Sequence, residues 1–381
     1  MTSENQHKGN IMESIILIFL LSIPLLLASF HAYRIVKWKM YIWLPDYIRQ
    51  QITSPKKTST LPIHVIFIFV DHYEPGYGEK GIQKNNEWLD NYRELSDLHK
   101  DSYGRKPQHT WFYPYDHKND GVVKELSKMA YDGYGEIEFH LHHDHDNNET
   151  FPAKLAEAIA WFNSFGAMKS IDGTVSFGFI HGNWSLDNAK GDNFCGVTRE
   201  LEILKNAGCY ADFTFPAFGD ISQPAKINSI YYAPDDDKPK SYNKGIDAAV
   251  GKQNDKDLMI FEGPLSLKDY SAVESFNVPS PVKIDSWVDQ HITVKGRPDW
   301  VFVKIFTHGI QSRNVFFNDT VNKMFSYLEN KYGSGNYRLH YVSAREAYNI
   351  VRAAENGMSD DPDKYRNYVI NEPINKSIRI N

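Results

Sequence analysis

Cysteine is nearly missing. The 381 residues hold only Cys195 and Cys209, which excludes a scaffold built on disulfides. Between them lies GVTRELEILKNAG, where Leu201, Ile203, Leu204 and Ala207 form an apolar stripe and Gly208 is a stop; this predicts a helix. A helix of that length spans roughly 20 Å, whereas a disulfide needs Cα atoms within about 7 Å. Two free thiols are expected, in keeping with a reducing compartment. Positive charge is not in excess either. Lys and Arg number 42 against 48 Asp and Glu, a net charge of -6, so no global basic field recruits nucleic acid. Internal repeats and low-complexity tracts are lacking, which excludes a solenoid or array.

What is present suits one large domain with attachments. Aromatic residues are plentiful, with 23 Tyr and 8 Trp. They serve a core or an open groove in which sugar C–H faces stack on rings. Near the start, SIILIFLLSIPLLLASFHAY (14–33) has no acidic residue, Lys or Arg. It is just long enough for a membrane-spanning helix, with Pro24 as a tolerated kink, and no signal-peptide cleavage pattern follows. Next, RIVKWKMYIWLPDYI reads as an interfacial belt. QQITSPKKTSTLP reads as a linker. Residues 1–57 are thus expected to be anchor, interfacial segment and linker. Residues 58–356 form the catalytic domain, and the polar stretch 357–381 is a ragged tail. Arg34, Lys37 and Lys39, then Arg49, Lys56 and Lys57, follow the apolar run, whereas Lys8 precedes it alongside Glu4 and Glu13. This bias favours a single-pass membrane protein with a cytoplasmic domain.

Within the domain, strand and helix patterns alternate. IHVIFIFVD is a continuous apolar run of the kind buried on both faces of a parallel sheet. Helical NEWLDNYRELSDLHK, strand-like QHTWFYPYD, helical GVVKELSKMAYDG and strand GEIEFHLHH follow. Helical FPAKLAEAIAWFNSFG and strand TVSFGFIHG come next. KDLMIFEGPLSL and PDWVFVKIFTHG are later strands, and NYRLHYVSAREAYNIVRAAENG is a strand with a closing helix. An insertion at about 221–255 interrupts the rhythm and reads as a hairpin over one end of the barrel. The organisation is α/β, a barrel or doubly wound sheet.

Four strands end abruptly in polar residues: FVDHYEP (Asp71, His72, Glu74), FHLHHDHD (His140 to Asp146), FIHGNW (His181, Asn183, Trp184) and IFTHG (His308). Parallel strands bring such tips to one face, where barrel enzymes keep their active sites. HLHHDH (140–145) literally matches the H-x-H-x-D-H motif of the metallo-β-lactamase fold, a two-metal centre for which His181, Asp220 and His308 are further candidates. The Gly-rich helix start that follows it in that fold is replaced here by DNNETFP.

Over roughly residues 61–355 the chain resembles the polysaccharide deacetylase superfamily, which implies a distorted (β/α) barrel. FVDHYEP resembles its first motif, with Asp71 as general base and His72 as metal ligand. GEIEFHLHHD resembles its second, placing ligands at His140 and Asp144. FIHGNW stands at the third motif with different letters. GCYADFTFP is similar to the fourth, with Asp212 in the motif position, and VFVKIFTHG to the last, with His308 as general acid. From the residues themselves, Glu74 is an alternative to His72. His142 shares the strand face of His140 and can replace Asp144. His143 and His145 are read as supporting or solvated, and Asp187 and Asn188 as a helix cap. His181 and Asn183 line the groove or satisfy a turn, and Trp184 is a sugar-stacking platform or core.

The implied chemistry is a divalent ion, Zn²⁺ first but Co²⁺, Ni²⁺ or Fe²⁺ also suitable, which polarises an amide carbonyl and activates water. The expected function is a metal-dependent deacetylase that removes N-acyl groups from an amino-sugar polysaccharide or a lipid-linked sugar. The alternatives are a dinuclear metallo-β-lactamase-like hydrolase and a non-catalytic glycan-binding barrel used in polysaccharide assembly.

Overall fold

The structure, a computed structural model, describes residues 20, 22–53, 62–192 and 194–380. It opens with a helix, α1 (22–37), whose Leu25, Leu26, Leu27 and Phe30 are exposed. Among the described residues no helix is long and apolar enough to cross a membrane. The span expected at 14–33 lies partly outside them, at 14–19 and 21.

The expected interfacial belt instead packs on the domain, by one face. After a 3₁₀ turn comes α2 (Leu44–Thr53). Trp43 and Met40 are buried against Ile227 and Leu265, and Trp38 stacks on Phe218 with ring centroids 5.4 Å apart. Asp46 accepts the Ile227 N–H, and Gln50 donates to the Ile227 carbonyl. Tyr41, Ile48 and Ile52 stay exposed on the other face.

The domain then alternates as the patterns predict: β1 (Ile63–His72), α3 (Gly78–Asp97), β2 (His109–Pro114), α4 (Asp120–Tyr131), β3 (Gly135–Leu141), α5 (Phe151–Ser164), β4 (Phe177–His181), α6 (Glu200–Asn206) and β5 (Cys209–Asp212). Next come β6 (Ser229–Ala233), β7 (Ile246–Asp247), β8 (Leu258–Glu262), α7 (Pro281–Asp289) and β9 (Trp300–Thr307). The chain closes with α8 (Arg313–Phe317), α9 (Thr320–Tyr332), β10 (Tyr337–Val342), α10 (Ala344–Glu355) and α11 (Ile374–Ser377). The sheet runs β10-β1-β2-β3-β4-β5-β8-β6-β7, with β9 on the other edge of β1. All ladders are parallel except those of β6. The insertion does carry a hairpin, but β6 continues the sheet beside β8 rather than capping an end. Among the described residues no ladder joins β9 to the β8–β6–β7 edge. There Lys304 is buried, and its Nζ donates to the carbonyls of Phe213, Phe215 and Phe261.

β1 is apolar throughout because both its faces are covered. Val65, Phe67, Phe69 and Tyr73 pack among the helices, and Ile66, Ile68 and Val70 fill the interior. Cys195 and Cys209 are free and buried, as expected. The tail is not ragged. Arg366 is buried against Glu346 and Asp101. Lys376 joins Arg345 on the buried Glu136, so residues 357–380 belong to the fold.

Candidate functional site

The strand tips meet at one end of the sheet, and two of them build a cluster. His140 is the last interior-facing residue of β3, and His142 follows it on the same side. Each imidazole is oriented through Nδ1. His140 Nδ1 donates to the Ile180 carbonyl at 2.7 Å. His142 Nδ1 lies 3.1 Å from Asp116 Oδ2, while the His142 backbone N–H donates to Asp116 Oδ1. Both Nε2 atoms are then left facing Glu74 Oε1, at 3.2 Å from His140 and 3.5 Å from His142. Gln311 holds the other oxygen of Glu74 at 3.0 Å. Glu74, His140 and His142 can hold a metal ion together. The side chains of Glu74 and His142 remain 20% and 28% exposed, so the cluster opens to the cleft.

His72 also faces inward. Its ring lies 5.2 Å from that of His140 and stacks on that of His308 at 4.6 Å. Among the described residues its ring nitrogens make no hydrogen bond, and burial, then the charges of His308, His140 and His142, hold it well below the usual imidazole range. His308 differs because Glu274 supports it. Glu274 Oε1 accepts both the His308 N–H at 2.7 Å and its Nδ1–H at 2.8 Å. Burial pulls the His308 pKa down, but the hydrogen bond and charge of Glu274 outweigh it, and the net shift is upward.

Beside the cluster is a cavity of about 450 Å³ lined by Trp38, Trp184, Phe218, Tyr270 and Phe306, with Glu274 and His308 at its wall. Trp184 reaches it from a tight turn in which Asn183 and Trp184 both take left-handed backbone (φ 55° and 54°). Such strain persists only where the surroundings enforce it. Asn183 itself is exposed.

Several expected site residues lie elsewhere. Asp71 is fully buried, because successive strand residues face opposite sides; with His72 inward, Asp71 points into the helical layer. There His109 Nε2 lies 2.8 Å from Asp71 Oδ2, and the Gly309 N–H donates to Oδ1, so Asp71 cannot act as a base in the cleft. Asp144 is on the surface, its side chain 63% exposed beside the exposed His145; the chain has left the strand and turned outward there. His142 and Glu74, rather than Asp144 and His72, stand with His140 in the group able to hold an ion. Asp212 is also fully buried. Its oxygens accept the N–H and hydroxyl of Thr214, and burial pushes its pKa up to about 7. Asp187 begins no helix in its own segment; it is buried, and its carboxylate accepts the N–H of Ser241, the first residue of the 3₁₀ turn Ser241–Asn243. His181 points away from the cleft, towards His143 and Glu200. The H-x-H-x-D-H letters are therefore divided: His140 and His142 face the cleft, His143 faces α5, where it stacks on Phe151 at 4.1 Å, and His145 faces solvent.

Sequence reasoning did not find Asp116, Glu274 or Gln311. Asp116 carried a readable signal, since it follows β2 with the same abrupt polar tip as the other strands. Glu274 and Gln311 lie in irregular segments without one. No family model matches the chain, and no curated protein matches it.

Proposed function

We propose that this chain is a metal-dependent hydrolase of amide bonds that removes N-acyl groups from an amino-sugar glycan or a lipid-linked sugar. The observation that carries the metal is the orientation of His140 and His142. Each has Nδ1 fixed by a partner and Nε2 aimed at one carboxylate oxygen, the usual arrangement behind a metal-ligating imidazole. Two nitrogens and an oxygen suit Zn²⁺, which supplies Lewis acidity and a nucleophile at neutral pH. His72, whose ring nitrogens make no hydrogen bond among the described residues, can take a proton from an attacking water. His308, whose pKa Glu274 raises against the effect of burial, can give one to a departing amine. These roles match the acid expected at His308 and move the base from Asp71 to His72. The finer fold, a distorted barrel of the deacetylase type, is part of the same reading.

The aromatic walls of the cavity favour a sugar ring over a peptide. Support for a lipid-linked form comes from Trp38, which follows the exposed apolar α1 and also lines the cavity. That reading goes with a membrane-proximal, cytoplasmic domain.

The test is acetate release by the zinc-loaded full chain from an N-acetylglucosamine oligomer and from a detergent-solubilised lipid-linked N-acetyl sugar. Turnover that disappears in His140→Ala together with cleft metal is expected. Turnover unaffected by metal removal, or tight metal binding with no hydrolysis of either substrate, would overturn the proposal.

A further inference from the structure

We propose that His143, His181 and Glu200 form a second metal site, buried and structural, for a divalent cation of the Zn²⁺ class. It stands independently of the hydrolase reading, since it uses none of the cleft residues. The three donor atoms form a small triangle. His143 Nε2 lies 3.0 Å from His181 Nε2 and 2.9 Å from Glu200 Oε1, and His181 Nε2 lies 3.0 Å from the same oxygen. Donors bound at about 2.0–2.1 Å to a tetrahedral ion stand roughly 3.3 Å apart, so the triangle needs to open by only a few tenths of an ångström. All three side chains are 0% exposed. The triangle supplies three of the four positions of a tetrahedral zinc, and its burial, not its ligand count, sets it apart from a site open to substrate.

Protons alone fit the triangle poorly. His181 Nδ1 donates to the Gly182 carbonyl at 2.6 Å, which leaves a lone pair on Nε2 of the neutral ring. Glu200 Oε2 accepts the backbone N–H groups of Asp187 (2.7 Å) and Val197 (3.4 Å), so Oε1 is the oxygen turned to the imidazoles. With His181 neutral, one proton on His143 Nε2 can serve His181 or Glu200, and the other pair then meets lone pair to lone pair; with His181 protonated, two N–H groups crowd one oxygen and their nitrogens stand 3.0 Å apart. A cation satisfies all three at once. Behind His143, Nδ1 makes no hydrogen bond, and the Asp146 carboxylate stands 3.4 Å away, itself held by Lys154 and the Thr150 hydroxyl. This is the carboxylate–histidine pairing found behind metal-bound imidazoles.

The placement gives the site a task. It ties the ends of β3 and β4 to the start of α6 and so pins both ends of the loop that carries Trp184. Gly182 connects it to the cleft, because its carbonyl receives His181 while its α-carbon lies against the His142 ring, where a Cβ would collide. The ion would therefore hold the wall against which His142 is set.

The experiment is metal analysis of the full chain after zinc loading and dialysis. Wild type is expected to carry two ions, Glu74→Gln one, Glu200→Gln one, and the double variant none. Glu200→Gln is nearly isosteric, and circular dichroism checks that it folds. As a second readout, Co²⁺ added to Glu74→Gln should give the visible d–d bands of a tetrahedral site with nitrogen ligands, and chelation should lower the Tm of that variant. Unchanged zinc content in Glu200→Gln would overturn the proposal. So would a Glu74→Gln protein with no bound ion, no cobalt bands and no response to chelator, which would mean that the triangle holds a proton instead.

Discussion

The Asp71 carboxylate accepts the backbone N–H of Gly309 at 2.8 Å, and this bond fastens the tip of β1 to the segment that begins with His308. Gly309 must be glycine, because a Cβ there would strike the Asp71 carboxylate. His109 secures the other oxygen, and burial raises the Asp71 pKa. On the proposed reading, Asp71 is thus expected to be a positioning residue that acts through His308. Asp71→Asn can still accept from Gly309 and face His109, so it should lose less than about tenfold in kcat. Asp71→Ala should lose far more, along with about 3 kcal/mol of stability, because two buried partners are left unpaired. A general base would instead lose about 10²-fold or more in both variants, so kcat and urea unfolding of the pair separate the two roles.

Glu274 is predicted to set the alkaline limit of activity. It lifts the His308 pKa above its ordinary value, so His308 stays protonated, and able to donate, to a higher pH than a free imidazole. Glu274→Gln removes that charge, and the alkaline limb of the kcat profile should move to lower pH. An unmoved limb would remove His308 from the acid role.

Asp116 should control metal affinity without touching the ion. Burial pushes its carboxyl up, but the hydrogen bond and charge of His142 outweigh this and hold it at about 2. Asp116→Asn keeps an acceptor but loses the charge, and zinc affinity in the cleft should fall by about 10- to 100-fold. Competition with a chromophoric chelator measures it. Unaltered affinity would show that His142 is oriented by something else.

Stability should decline with rising pH through Glu138. This fully buried side chain accepts from the Tyr210 hydroxyl and the Gly178 N–H, yet burial dominates and raises its pKa from 4.5 to about 8. The folded chain holds that proton more tightly than the unfolded chain. The resulting stabilisation is fully present below about pH 4.5, shrinks as pH climbs, and is gone above about 8. Glu138→Gln, which cannot ionise, should flatten this slope in urea midpoints taken across that interval. An identical slope would assign the dependence to another group.

Much of the fold was legible because β1 and β9 are nearly continuous apolar runs between helices of clear periodicity, a pattern that suits strands covered on both faces of a parallel sheet. The polar tips were legible for the same reason, since an abrupt change from apolar to charged marks a strand end. Which neighbour faces the cleft was not. In FVDHYEP, alternation sends Asp71 and His72 to opposite sides, and the choice depends on which side is the interior. Asp144 shows the same limit, since spacing along a strand predicts nothing after the chain turns. Partners such as Glu274 and Glu200 come from distant segments, and only packing brings them in. The tail misled because its polar letters are buried in ion pairs, as at Arg366 and Lys376, which composition cannot distinguish from solvation.

The neighbours of β1 also govern the order in which the protein can be made. Ile63 pairs with Tyr337, and His64 with Trp300, so one edge of β1 and the first half of the other wait for segments near the far end of the chain. At a ribosomal rate of about 10 residues per second, that delay lasts on the order of 25 seconds. Throughout it the nascent strand, seven of whose ten residues are apolar, stands with most of its hydrogen-bonding edges open. The first strand of the domain to be made is therefore among the last to have its edges filled.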